Sequence, residues 1–248
     1  MSFINQIFID LLTFLAHLFQ GNMGWAIIAL TVIVRGALVP LTLPSLKSQK
    51  KLASLKPELD KIKAKHGHDK KLLSQKQLEL YQQHGVNPAA GCIPQIVQLV
   101  LLIILYRVLI SSLNNPTIDG VSLDFFWLAL GKPDHLYVLP VLAGITQLVL
   151  GVMLLPATDT TAEHQLAAQT KSKKDDQKAE DMTEMATAMQ SQMVFIMPAF
   201  TFFLALKFPS GLALYWVATT LFSLVQQYFV SGLGGLKPYL VRFGLLQK

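Results

Sequence analysis

The sequence is short of the groups that most chemistry needs. It holds one cysteine, Cys92, which excludes an internal disulfide framework and any multi-cysteine metal site. There is no H-E-x-x-H, no G-x-S-x-G and no phosphate-binding loop, so metalloprotease, hydrolase and nucleotide-driven chemistry lack their motifs. Aspartate and glutamate are missing from all five long apolar runs, at about 23–43, 91–110, 136–155, 193–208 and 211–231. That leaves no carboxylate pair for an intramembrane protease or a proton relay. The histidines (His17, His66, His68, His84, His135 and His164) fall outside those runs, which excludes a serine–histidine site within them. No basic segment and no A-x-A site precede the first run, so a signal-peptide pattern is not expected. No catalytic residue, cofactor or metal is expected, and the chain does not read as an enzyme.

What is present is hydrophobic. Of the 248 residues, 52% are hydrophobic and only 15% charged, a balance that belongs to a membrane protein. The expected fold class is all-α: a polytopic membrane protein with five transmembrane helices around a hydrophilic groove. The spans are placed at 23–44, 89–110, 136–155, 191–208 and 209–231, the fourth being short. Residues 1–22 read as an interfacial amphipathic helix on the outer face, since Asn5, Asp10 and His17 interrupt its apolar residues. An extra span there is the alternative. Residues 111–135 form an extracytoplasmic loop, 156–190 a partly disordered cytoplasmic loop and 232–248 a short cytoplasmic tail.

Orientation follows from the basic residues. Ten lysines lie between Lys47 and Lys76, four between Lys171 and Lys178, and Lys237, Arg242 and Lys248 are in the tail. Only Arg107, Lys132 and Lys207 fall at the other side, so the C-terminus is expected in the cytoplasm and the N-terminus outside. This asymmetry accounts for most of the +6 net charge without nucleic acid, and no DNA partner is expected. Within 45–88, Leu52, Leu55, Leu59 and Ile62, then Leu72, Leu73, Leu78 and Leu80, recur at helical spacing on either side of "HGHD" at 66–69. The segment predicts a basic cytoplasmic helical hairpin. Its Lys47, Lys50, Lys51, Lys61, Lys63 and Lys65 read as a solvated face or as contacts for lipid headgroups or ribosomal RNA. Met182, Met185, Met189 and Met193 follow the second loop at helical spacing, either as a grip for varied apolar partners or as a continuation of the fourth span.

One charge stands in the wrong place. Arg35 sits near the middle of the first span, roughly 15 Å from Trp25 along the helix axis. At that depth an arginine costs about 2.5–3.5 kcal/mol to insert, and such residues mark function more often than not. With about 100° per residue, Thr31 and Thr42 share its face. Gly91, Gln95, Gln98 and Tyr106 make a stripe on the second span, and Tyr215, Thr219, Ser223 and Gln226 another on the fifth. Gln147 and Thr201 are single polar residues on the third and fourth. Each glutamine or threonine alone reads as an interhelical hydrogen bond. Arg35 has no carboxylate in any span to neutralise it, so the stripes together predict a hydrated, positively charged groove that attracts acidic residues of a passing ligand.

Three stretches then become recognisable: "TVIVRGALVPLT" (31–42), "NPAAGCIPQIVQLVLLIILYRVL" (87–109) and "MPAFTFFLALKFPSGLALYWVATTLFSLVQQYFV" (197–230). In this order, with the basic hairpin between the first two, they resemble the YidC-type membrane protein insertases, the family that includes the Oxa and Albino proteins of organelles. The resemblance covers nearly the whole chain. It implies a groove open to cytoplasm and lipid, closed toward the outside, in which nascent hydrophobic segments are received and passed into the bilayer. The family's groove arginine maps to Arg35, a groove threonine to Thr31, an aromatic pair to Tyr215 and Trp216, and the proline of its turn to Pro209, followed by Gly211. Nascent membrane proteins are the implied partners, with the ribosome, the lipid bilayer and a Sec-type translocon beside them, at the inner or plasma membrane. A chaperone dependent on that translocon is the alternative, and a small transporter a more distant one, for which no internal repeat is seen. The chain departs from the family in carrying Thr219-Thr220 where Ser-Asn is frequent, in having no large extracytoplasmic domain before the first span, and in its short tail.

Overall fold

A computed structural model describes residues 2–87, 93–114, 120–155 and 182–242. These form the helices α1 (Ser2–Leu18), α2 (Met23–Ala37), α3 (Val39–Ser54), α4 (Lys56–His66), α5 (Lys70–Gln83) and α6 (Ile93–Asn114). A two-stranded antiparallel hairpin follows, β1 (Asp124–Phe125) and β2 (Leu128–Ala129), with Phe125 opposite Leu128. Four helices complete the chain: α7 (Val138–Leu154), α8 (Met182–Ala205), α9 (Ser210–Ser231) and α10 (Leu236–Arg242). The fold is helical throughout, apart from that hairpin. Most of the disordered loop expected at 156–190 lies outside the described residues, as do the methionine side chains from Met182 to Met193.

Among the described residues no single helix is long and apolar enough to cross a membrane, but α2 and α3 together are, with a bend of 69° between them. The sequence pattern predicts one helix across 23–44, and the chain instead turns at Leu38. The reason is proline. Pro40 has no N–H to give to the carbonyl of Gly36 and is best placed in the first turn of a helix, so α2 ends and α3 restarts around it, whereas Pro44 and Pro198 stay inside α3 and α8. At its other end α2 is capped by Asn22, whose side chain accepts from the amides of Gly24 (3.0 Å) and Trp25 (3.2 Å).

The main core lies where α1, α2, α6, α9 and the β-hairpin meet. Leu12, Ala16, Met23, Ala26, Ile27 and Leu130 are fully enclosed there. Small residues permit the close approach: a Cβ on Gly24 would stand 2.2 Å from the Phe125 ring, so only glycine fits. In lipid, where burying apolar area between helices adds little, this shape fit holds the bundle. α7 and α8 pack along each other through Gly144 and Gly151, which face Phe202 and Val194. α4 and α5 make a separate pair around Leu55, Leu59, Leu80, Tyr81 and Val86. Gln77 of α5 is fully buried, and neither atom of its amide has a hydrogen-bond partner.

Candidate functional site

α3, bent away from the α2 axis, packs on α9, α6 and α7, and together with α8 these helices line a half-open cavity of about 240 Å³. Arg35 reaches it from the last turn of α2. Although charged, the residue is only 6% exposed. Its Nη2 donates to Oε1 of Gln98 on α6, while among the described residues its Nε finds no acceptor and no carboxylate pairs with it. Tyr215 of α9 lies beside the guanidinium, buried, with its hydroxyl close to Thr219 and Gln98.

Polar atoms on the walls divide into two kinds. Several hydroxyls bond back to their own helices: Thr220 Oγ1 to the Trp216 carbonyl (2.9 Å), and Ser223 Oγ to that of Thr219 (3.0 Å). An amide and an ammonium reach between helices. Gln226 Nε2 of α9 donates to Thr42 Oγ1 of α3 (3.0 Å), and Lys50 Nζ of α3 donates to the carbonyl of Val230 near the end of α9 (2.8 Å). Oε1 of Gln227 is buried without a partner among the described residues, and Nε2 of Gln98 and Oγ1 of Thr219 have none there beyond the nearby Tyr215 hydroxyl. Groups of this kind favour a guest that brings its own donors and acceptors, because an unpaired buried polar atom costs about 1–3 kcal/mol.

The opposite end of the bundle is tied together around the start of α9. The first amides of α9, which have no partner within their own helix, donate to loop carbonyls: Ser210 N to Lys132 O (2.7 Å) and Gly211 N to Leu130 O (2.9 Å). Ser210 Oγ adds a bond to the Ala129 carbonyl (2.8 Å). Asp134, itself buried, accepts from Leu136 N (3.1 Å) and Leu139 N (2.8 Å), fixing the entry to α7. Pro209 precedes α9 as its cap residue, in extended backbone.

The structure thus brings Arg35, Gln98, Trp216, Thr219, Ser223 and Gln226 to one cavity. Thr31 does not line it. It is buried one turn earlier, with Oγ1 bonded to the Ile27 carbonyl (2.7 Å). Gln95 stands one turn before Gln98 on α6, and its side chain lies outside the described residues. Among the lysines, Lys50 is engaged by α9, whereas Lys47, Lys51, Lys61 and Lys65 are exposed, and Lys63 is half-buried. Gln49, Thr220 and Gln227 also line the cavity and were not among the expected residues. A signal for them existed: Thr220, Ser223 and Gln227 follow helical spacing, and Gln49 lies two turns beyond Thr42.

With this geometry in place, similarity to known proteins is informative. The family model described as the 60Kd inner membrane protein matches residues 14–234. The membrane protein insertase YidC of Fusobacterium nucleatum is 35% identical over 94% of this chain and 100% of its own length. The insertase MisCA of Bacillus subtilis is 32% identical over 90% of this chain and 76% of its own. A crystal structure of an active YidC insertase, with its first transmembrane domain resolved, has the same fold, with a TM-score of 0.60 at 23% identity. That likeness covers 91% of this chain and 46% of the other. The chain therefore belongs to the 60Kd inner membrane protein family, the family of the YidC-type membrane protein insertases.

Proposed function

We propose that this protein is a membrane protein insertase of the bacterial inner membrane. It takes nascent hydrophobic segments from the cytoplasm and releases them into lipid through the cavity that holds Arg35. Five spans carry it: α2 with α3, α6, α7, α8 and α9. The α4–α5 pair is the cytoplasmic hairpin, the C-terminus is cytoplasmic, the N-terminus is outside, and α1 lies along the outer interface. The exposed Lys47, Lys51, Lys61 and Lys65 meet lipid headgroups or ribosomal RNA.

The observation that carries this reading is a buried cation that no carboxylate among the described residues pairs with, set among amides in a half-open cavity; in this reading the cavity is closed toward the outside. Burying a client span of about 20 apolar residues is strongly downhill, so the barrier lies in moving its polar flank through hydrocarbon. A polar recess partway across shortens that path. Arg35 offsets the desolvation of an acidic flank, Gln98 Nε2 and Thr219 Oγ1 can donate to its carboxylates, and Gln227 Oε1 can accept from its backbone amides. No covalent step is involved.

The test is protease protection of a single-span client with a short acidic N-terminal tail, synthesised beside liposomes holding this protein or its Arg35→Ala form. Protection with the wild-type protein and much less with Arg35→Ala is the expected result. Tails protected no better than by empty liposomes would overturn the reading in favour of a chaperone that needs a translocon.

A further inference from the structure

The end of the bundle proposed to be shut carries an aromatic surface that the cavity does not use. Phe126 and Trp127 form the two-residue tip of the β1–β2 hairpin, 77% and 44% exposed. Their rings continue inward as a chain: Trp127 to Phe126 (6.1 Å between centroids), Phe126 to Phe125 (4.7 Å) and Phe125 to Trp25 of α2 (5.6 Å, edge-on). Tyr137, at the entry to α7, is exposed as well.

Backbone strain is concentrated here. Gln20, Phe126 and Tyr137 are the non-glycine residues with positive φ among those described, at +57°, +55° and +58°. All three belong to this end, and two are exposed aromatics. A two-residue hairpin turn with positive φ at its first position is ordinarily given to glycine. A phenylalanine there pays twice in water, through its backbone and through its exposed ring. Strain of this kind persists where the side chain has a use.

The tip cannot retract. Phe125 is buried against Gly24, where no Cβ fits. The loop is also bonded to the α1–α2 turn, by Ser122 N to Gly21 O (2.7 Å) and Met23 N to Ser122 O (3.1 Å). The same turn ends α1, whose Phe14, Leu18 and Phe19 are exposed. One rigid unit therefore presents the apolar face of α1, Trp25 and the hairpin tip together. Lys132 and Lys207, exposed at this end, are suited to lipid phosphates.

We infer that the Phe126–Trp127 tip, with Trp25 and Tyr137, is a lipid anchor seated in the interfacial layer of the leaflet at the shut end of the bundle. Residue chemistry selects lipid over a protein partner: rings with one polar edge favour the headgroup boundary, and the surface continues the apolar face of α1. The inference uses the outward placement of α1 in the proposed function but not insertion itself. Anchoring there would hold the shut end at a fixed depth while clients enter from the other side.

The test is tryptophan fluorescence in liposomes, taking the signal of Trp127 as the difference between the protein and its Trp127→Phe form. Lipids brominated near the headgroup should quench that signal several-fold more than lipids brominated near the chain ends, and iodide on both sides of the membrane should barely affect it. Efficient quenching by iodide would place the tip in water and overturn the inference. Resistance to iodide and to both lipids would assign the surface to a protein partner and overturn it too. Phe126→Asp, which should pull the tip outward, is expected to convert the lipid-quenched signal to an iodide-quenched one. Because no client is present, failure of the insertase reading would leave this result unchanged.

Discussion

Replacing Arg35 by methionine separates what the charge costs from what it does. Placing an arginine at mid-membrane depth costs about 2.5–3.5 kcal/mol. Its hydrogen bond to Gln98 returns about 1.5–3 kcal/mol, as expected for a charged donor. Arg35→Met alone would also leave Gln98 Oε1 unpaired, at about 1–3 kcal/mol, so the stability is read in the double variant Arg35→Met/Gln98→Leu, which should be as stable as before or more stable, by roughly 0–2 kcal/mol on those figures. Insertion should respond in the opposite sense. Loss of one charge-assisted contact to an acidic tail, about 1.5–3 kcal/mol, corresponds to roughly 10- to 100-fold slower protection of such a client. A client with a neutral tail should be protected at nearly the wild-type rate. Unfolding in bilayers and protease protection with the two clients measure the two effects. If Arg35→Met/Gln98→Leu unfolds more readily than the wild type by over about 1 kcal/mol, and both clients suffer alike with Arg35→Met, the arginine is a structural element and the electrostatic argument is wrong.

Other substitutions probe the frame around the cavity. Gly24→Ala forces a methyl group into the Phe125 ring and should cost about 1–3 kcal/mol, read as a lower melting temperature in detergent. Asp134→Ala strips the acceptors from Leu136 and Leu139 and should destabilise the protein by about 0.5–2 kcal/mol, visible as faster amide exchange at the start of α7. Gln77→Leu removes a buried amide with no partners and should stabilise the α4–α5 pair by about 1–3 kcal/mol, slowing exchange there while client insertion is unchanged. A gain in exchange rate would mean that the amide is bonded in the working protein.

How much of this could be read from the residues depended on whether the signal was local. Arg35 announced itself as one cation in an apolar run, and the stripes of α6 and α9 pointed to Gln98, Thr219, Ser223 and Gln226 through spacing alone. Thr31 was on the expected face, but it bonds back to its own helix below the cavity. The break at Leu38 had a visible cause in Pro40, yet a proline near the end of an apolar run reads equally well as a boundary. Ending the span at residue 44 then hid Gln49. The β1–β2 hairpin had no usable periodicity in two-residue strands. The fit of Phe125 to Gly24, and of Lys50 to the carbonyl of Val230, join segments about 100 and 180 residues apart, which no local pattern encodes.

The bend between α2 and α3 also has a consequence for how the chain tolerates change. Arg35 is positioned by α2, and the lysine-rich helices are carried by a second axis that starts after Leu38. A residue inserted beyond Gln49 would rotate and displace the lysines by a helical step without altering the depth of the guanidinium. The lysine-bearing parts proposed to meet lipid headgroups or a ribosome can thus vary in length and angle at the expense of the Lys50 contact to Val230, while the interior recess keeps its dimensions.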